Sequence, residues 1–212
     1  MRPLRSFSIL VISLCLVTPL PTDATWAQVD HATTDETLRR LTEDGSGAFL
    51  GGAMKVENAL TTLDQGNLDE AAHVGFEAAK DFRRARERFQ AAATYIGSHK
   101  EVAAALDEYL KSVKYSEKAI TLDIQPEKTP LWLEIRDVAT KQGAAALFGR
   151  AMSRSSELSE RTGSFFDAAK AHRSVPVKGA ALLRQLGEDL AFGAYVSAIF
   201  ATTESSKPRP TI

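Results

Sequence analysis

The stretch GNLDEAAHVGFEAAKDFRRARERFQAAATYIGSHKE, residues Gly66 to Glu101, decides the fold because one long seam of small and aromatic residues runs through it. The seam advances in alternating steps of four and three residues, through Ala71, Gly75, Ala78, Phe82, Ala85, Phe89, Ala92 and Ile96. This heptad period of about 3.5 residues is typical of helices that pack lengthwise against a neighbour. Alanine and glycine on the seam let two backbones approach closely, and phenylalanine fills the space between them. The pattern predicts a long helix from Leu68 to about Ile96.

The same period continues after this helix. Gly97 is predicted to end it, and Ser98–Glu101 has the residue pattern of a capping box that starts the next one. The seam of that next helix, which runs to about Leu122, is Val102, Leu106, Tyr109, Val113, Ser116 and Ile120. Because the intervening turn is short, we expect the two helices to be antiparallel neighbours.

Glycine, proline and capping residues divide the remainder of the chain into further helices, and no segment shows the alternation of a strand. The first helix is predicted to start at the capping box Thr33–Glu36 and to end at Gly45. The other predicted helices are Ala48–Leu63, Pro130–Gln142, Ala144–Arg161, Ser164–Arg173 and Lys178–Thr202. The sequence therefore predicts an all-α fold of antiparallel helical hairpins, arranged either as a repeat-like stack or as an elongated helical bundle.

The first 27 residues have the order of a secretory signal peptide. Arg2 and Arg5 precede an apolar run, Phe7–Val17, and small residues follow up to a predicted cut after Ala27. The apolar run is shorter than an ordinary membrane span, although an uncleaved N-terminal anchor is the alternative reading. We therefore expect a periplasmic or secreted protein of a bacterial envelope, with no stable membrane span after cleavage. Residues 28–203 are predicted to form one domain, and 204–212 a disordered tail.

Cys15 is the single cysteine, and it lies within the predicted signal peptide. A mature chain without cysteine has no disulfide, no thiol nucleophile and no cysteine-bound zinc or haem. The net charge is −1 at pH 7, so the composition does not indicate nucleic-acid binding. No phosphate-binding glycine loop or nucleophile turn is present either. The sequence predicts neither a cofactor nor an enzyme.

Two segments resemble the tetratricopeptide repeat, a helical pair used for protein binding. In GNLDEAAHVGFEAA, positions 66–79, the residues Gly66, Leu68, Ala71 and Ala78 match the steps of the repeat's second helix. The segment YSEKAITLDIQPEKTPLWLEIRDVATKQG, positions 115–143, is similar to the junction between two repeats. The resemblance extends over about Asn58–Gly163, and it implies stacked helical hairpins with a concave face that binds a protein or peptide. It assigns no individual binding residue.

The candidate binding residues come from the charge pattern KDFRRARERF, at positions 80–89. Lys80, Arg84 and Arg88 fall along one line of a helix, and Arg83 lies beside them with Glu87 four residues on. The strip is either an ordinary solvated face or a docking site for an acidic segment of a partner. A lone pair on one face, His73 and Glu77, is common in helices of this composition and does not by itself predict a metal site.

Taken together, these patterns predict an exported, non-enzymatic scaffold or adaptor that binds a protein or peptide. The alternative is a helical-bundle carrier that holds a small apolar ligand between its helices. The predicted last helix includes the strongly apolar segment LAFGAYVSAIF, at positions 190–200, which either packs inside the domain or awaits a partner or a membrane surface.

Overall fold

The computed structural model describes residues 35–112 and 137–174, together with Pro176 and Gly179. In these ranges the chain is almost entirely helical and contains no strand, which confirms the predicted all-α fold. The elements are α1 (Glu36–Asp64), α2 (Leu68–Ser98), α3 (Lys100–Ser112), a π-helical turn (Val138–Gln142) and α4 (Ala144–His172).

Several predictions concern residues outside these ranges. They are the signal peptide at 1–27 with Cys15, the end of the helix predicted to reach Leu122, the start of Pro130–Gln142, nearly all of Lys178–Thr202, and the tail at 204–212. The domain limits at 28 and 203 therefore stay predictions.

Helix α2 lies between α1 and α4 and packs against both of them. Helix α1 runs antiparallel to it, because Gly45 faces Phe89 whereas Gly52, further along α1, faces the earlier Phe82. On the other side, the Ser159 hydroxyl of α4 donates to the backbone carbonyl of Ala79 over 2.8 Å. The long stretch that decides the fold thus forms the central helix of the described structure.

The predicted seam of α2 is confirmed, since all eight of its residues are buried. The helix that covers the seam differs from the prediction. Helices α1 and α4 cover it, while α3 makes little contact with α2. The reason is the connection, because His99 is the only residue between α2 and α3 that is not helical. Antiparallel helix pairs need loops of about two to five residues, so one residue bends the chain without reversing it.

The polar residues at the ends of α2 also act differently from the prediction. Ser98 is the last residue of α2, and its hydroxyl donates to the carbonyls of Thr94 and Tyr95 over 3.2 and 2.9 Å. It therefore completes α2 and does not cap α3. At the other end, Asn67 lies at the cap position of α2, but its side chain donates to Glu70 and not to a helix backbone group.

Helix α1 is one helix where the sequence predicts two. It begins after Asp35, whose carboxylate accepts a hydrogen bond from the Leu38 amide over 2.9 Å, so Asp35 replaces Thr33 as the N-cap. It continues through Gly45, which has a helical backbone and lies under the Phe89 ring. Helix α4 likewise continues through Gly163, so the two helices predicted at Ala144–Arg161 and Ser164–Arg173 are one.

The glycines that do end elements have a left-handed backbone. Gly66 has φ of 85° and Gly143 has φ of 83°, and both lie at the predicted breaks. Gly143 also lies close to α3, because the Asp107 carboxylate accepts a hydrogen bond from the Ala144 amide over 2.6 Å. An acidic side chain is favourable at the first amides of a helix, so α3 stabilises the start of α4.

Candidate protein-binding surface

The predicted basic residues lie on the side of α2 that faces away from its buried seam. Lys80, Arg83 and Arg84 are exposed, and Arg88 is half-buried at the edge next to α1. Because α2 is held by α1 on one side and α4 on the other, these side chains extend from a fixed backbone. We call Lys80, Arg83, Arg84 and Arg88 the basic strip.

The two ends of the basic strip are engaged in ion pairs. The Lys80 ammonium lies 2.7 Å from a carboxylate oxygen of Glu77, one turn earlier on α2. The hydrogen bond and the charge of Lys80 lower the pKa of Glu77. At the other end, Arg88 Nε lies 3.6 Å from an Asp44 oxygen on α1. These pairs reduce the charge that Lys80 and Arg88 offer to a partner.

Arg83 and Arg84, in the middle of the strip, form no ion pair with any of the described residues. In particular, the expected pair between Arg83 and Glu87 is not formed in this part of the chain. Two adjacent exposed guanidinium groups are therefore the main uncompensated charge of the strip. Arginine suits carboxylate recognition because its planar donors form paired hydrogen bonds with the two oxygens.

A second ion pair, in addition to Arg88–Asp44, joins α1 to α2. Lys55 Nζ lies 2.6 Å from Asp81 Oδ2, and both side chains are partly buried. With Arg88–Asp44, this makes two cross-helix charge pairs along the same edge of the α1–α2 hairpin. Such pairs contribute little free energy of unfolding each, but they favour one register of the two helices over others.

An open groove adjoins the strip toward the C-terminal end of α2. Its volume is about 560 Å³, and its lining residues are Leu41 of α1 together with Glu87, Gln90, Ala91, Thr94, Tyr95 and Ser98 of α2. The walls are mainly carbon atoms. In the sequence, only the spacing of Ala91 and Tyr95 points to the groove, because residues four positions apart lie on the same face of a helix. Its second wall, Leu41, lies about fifty positions earlier, which no helical period reveals.

Tyr95 is held in one position within this groove. Its hydroxyl donates to Asp35 Oδ2 over 2.7 Å, and its ring stacks on His99 with centroids 4.0 Å apart. The hydrogen bond to Asp35 raises the pKa of Tyr95, and partial burial and the negative charge of Asp35 act in the same direction. Asp35 thus caps α1 with one oxygen and fixes the Tyr95 side chain with the other.

Replacing Tyr95 with phenylalanine is expected to reduce the loss of stability at alkaline pH. The raised folded-state pKa means that the hydrogen bond stabilises the fold fully below the ordinary tyrosine pKa of about 10. That contribution is lost as pH rises through the folded-state pKa. Urea unfolding near neutral pH and at about pH 10.5 should show a smaller drop for Tyr95→Phe than for wild type. Asp35→Asn is the matched variant, since it retains a capping side chain but removes the charge next to Tyr95. Its drop in stability at alkaline pH should also be smaller than that of wild type. Equal drops in all three proteins would contradict this account.

The remaining candidate pair, His73 and Glu77, lies on α2. His73 is exposed on α2, four residues from Glu77, but Glu77 is paired with Lys80. In the part of the chain that the structure describes, no group of three or more His, Cys, Asp or Glu side chains is placed to hold a metal ion. The described helices also include none that is long and apolar enough to cross a membrane.

Comparison with known proteins does not add a family. No protein-family model, no curated protein and no solved structure matches the chain. The resemblance to tetratricopeptide repeats therefore stays a prediction. The described hairpin, Glu36–Ser98, is also longer than one such repeat, which is a helical pair of about 34 residues.

Proposed function

We propose that this protein is an exported, non-enzymatic adaptor that binds an acidic segment of a partner protein along α2. The observation that carries the proposal is the pair Arg83 and Arg84, which are exposed and have no ion-pair partner among the described residues. Export rests on the signal-peptide pattern of residues 1–27, and protein binding is also what the tetratricopeptide resemblance implies.

The fixed position of α2 supports binding by the basic strip. Seam residues along the whole length of α2 are buried, including Phe82 and Phe89 next to the strip, so the backbone under the arginines is held by packing. A rigid surface loses little conformational entropy when it binds, which leaves more of the interaction energy for affinity. Only the arginine side chains have to be ordered by the partner.

The ends of the strip support an acidic partner of limited length. Lys80 and Arg88 lie eight residues apart, which is about 12 Å along a helix. Their own ion pairs with Glu77 and Asp44 hold them in place and lower their net charge. A short segment with two or three carboxylates is enough to pair with Arg83 and Arg84. Carboxylates beyond that length would lie near Glu77 or Asp44 and be repelled by them. We infer that the partner segment is short and that its acidic residues are clustered.

The alternative function, a carrier of a small apolar ligand, needs an enclosed cavity. Where a glycine of the described helices faces a neighbouring helix, it does not leave such a cavity. Gly45 lies under Phe89, Gly52 under Phe82 and Gly75 under Phe166. Since aromatic rings already fill the space that the small residues leave, the packing of α1, α2 and α4 favours the adaptor.

Charge reversal tests the proposal directly. We expect Arg83→Glu with Arg84→Glu to weaken binding of a fluorescein-labelled glutamate–serine peptide about tenfold, which corresponds to about 1.4 kcal/mol. Fluorescence anisotropy at low and moderate salt measures this affinity, and wild-type binding should weaken as salt screens the arginines.

The control has the same change in net charge at exposed positions elsewhere. Lys111→Glu with Lys170→Glu alters α3 and α4 and leaves the strip intact. We expect this protein to bind the peptide as wild type does. Equal loss in both double variants would mean that overall charge attracts the peptide, and no loss in either would remove the strip from the binding site.

A further inference from the structure

The groove between α1 and α2 lies next to the basic strip on the same helix. Arg84 and Tyr95 are eleven positions apart, which is about 16 Å along α2. Glu87 lies between them and contributes to the near end of the groove. A partner that reaches from the arginines to the groove therefore passes over three surfaces in order: basic, acidic and apolar.

We propose that this groove binds one apolar side chain of the same partner segment, so that the partner carries an acidic cluster and an apolar anchor about 16 Å apart. The proposal rests on the proposed function, because the acidic cluster is what places the anchor over the groove. It goes further by defining the partner's sequence pattern.

The walls of the groove suit an apolar side chain. Leu41 and Ala91 are half-buried, so each still presents carbon atoms to a partner, and Tyr95 also lines the groove. The Tyr95 hydroxyl is already bonded to Asp35, so covering the ring leaves no unsatisfied polar group. The His99 ring, at the bend itself, stacks on the Tyr95 ring. The aromatic wall is therefore in place before a partner arrives.

The volume and shape of the groove favour a side chain over a free ligand. About 560 Å³ is within the range of roughly 300–1,000 Å³ of small-molecule sites. Those sites enclose most of the ligand, whereas this groove is open to solvent along its length. A side chain attached to a bound segment needs less enclosure, because the rest of the segment is already held by the arginines.

Charge complementarity determines where the partner's acidic and apolar residues lie along α2. Its carboxylates are attracted by Arg83 and Arg84 and repelled by Glu87, which is exposed and forms no ion pair within the described ranges. The residues between the acidic cluster and the anchor are therefore neutral or basic. An extended chain covers about 16 Å in about five residues, so that number of residues separates the anchor from the acidic cluster.

The test compares labelled peptides that differ at one position. Each has three glutamates, a glycine–serine spacer of two, five or eight residues, and leucine or serine beyond the spacer, and each is made in both chain directions. With the full-length mature chain, we expect the leucine peptide with the five-residue spacer to bind about tenfold more tightly than its serine counterpart, and the shorter and longer spacers to gain less. Fluorescence anisotropy gives each dissociation constant.

Two variants block the groove without changing charge. Ala91→Gln narrows it from α2, and Thr94→Gln does so from an exposed position where refolding is not at risk. Both should abolish the gain from leucine and leave the affinity for the serine peptide unchanged, whereas Thr61→Gln on α1 should preserve the gain. No gain in wild type, or a full gain in both blocked variants, overturns the groove proposal alone. If the serine peptides fail to bind, or bind independently of Arg83 and Arg84, the proposed function fails and the groove proposal with it.

Discussion

Phe89→Ala is expected to lower the free energy of unfolding by about 3–5 kcal/mol, the usual range for removing a fully buried phenylalanine. Phe89 has no exposed surface, and its ring packs against α1 at Gly45. Its ring covers Gly45 so closely that a β-carbon at Gly45 would lie 2.9 Å from Phe89 Cε1. The α1 backbone lies in close contact with the Phe89 ring. Removing the ring therefore leaves a void that the helices cannot fill without shifting.

Chemical denaturation measures this change, and the Gly45 position supplies an internal control. In wild type, Gly45→Ala places its methyl group against the Phe89 ring and should destabilise the fold. In the Phe89→Ala background the same methyl group enters the void and adds helix propensity, so it should stabilise the fold. A double-mutant cycle with opposite signs identifies direct packing of the pair. The same sign in both backgrounds, or a loss below about 1 kcal/mol for Phe89→Ala alone, contradicts this packing.

The buried side of α2 was predictable from sequence, but its neighbours were not. The heptad steps from Ala71 to Ile96 follow from helix geometry alone, and that face is buried as expected. Which helix covers it depends on the path of the chain. The path depends on the backbone at His99, where φ of −119° and ψ of 78° give a bend in place of a reversal. Helical periodicity contains no information about such a single-residue connection.

Glycine was ambiguous in the same way. At Gly66 and Gly143 a left-handed backbone ends an element, whereas at Gly45 and Gly163 the helix continues. The residue type is the same in both cases, because glycine serves turns and close helix contacts equally well. Gly45 is distinguished by Phe89, which lies 44 positions away in sequence. Whether a glycine ends a helix or allows close packing can be decided only when the helix that packs against it is known.

The candidate binding surface was predictable to a similar extent. The alignment of Lys80, Arg84 and Arg88 follows from helical spacing, as does the exposure of Lys80 and Arg84 opposite the seam. The pairing of Arg88 with Asp44 does not, because it crosses from α2 to α1. The groove depends on the same antiparallel register, which brings Leu41 beside Tyr95. Sequence therefore identifies the charges on one helix, and tertiary structure decides which of them stay available.

Gly75→Ala is expected to lower the free energy of unfolding by about 1–3 kcal/mol or more, although alanine normally favours a helix. A β-carbon at Gly75 would lie 2.5 Å from Cγ of Phe166 and closer still to Cδ2 and Cε2. Phe166 is fully buried and has an edge-to-face contact with Phe165, with ring centroids 4.9 Å apart. Because the ring is buried against Phe165, we expect the added methyl group to push α2 and α4 apart.

Gly163→Ala is the matched control for this prediction, because it makes the same chemical change inside a helix where, among the described residues, no side chain and no backbone of another segment lies within 4 Å of the new β-carbon. It should stabilise the protein by about 0.5–1 kcal/mol through helix propensity and reduced freedom of the unfolded chain. Thermal and urea unfolding of the two variants should therefore shift in opposite directions. Shortening Phe166 to leucine in the Gly75→Ala protein should recover part of the loss, since the smaller side chain leaves room for the methyl group. If Gly75→Ala is as stable as wild type, α4 does not pack on α2 through this glycine, because a contact this close has no other means of accommodating a β-carbon.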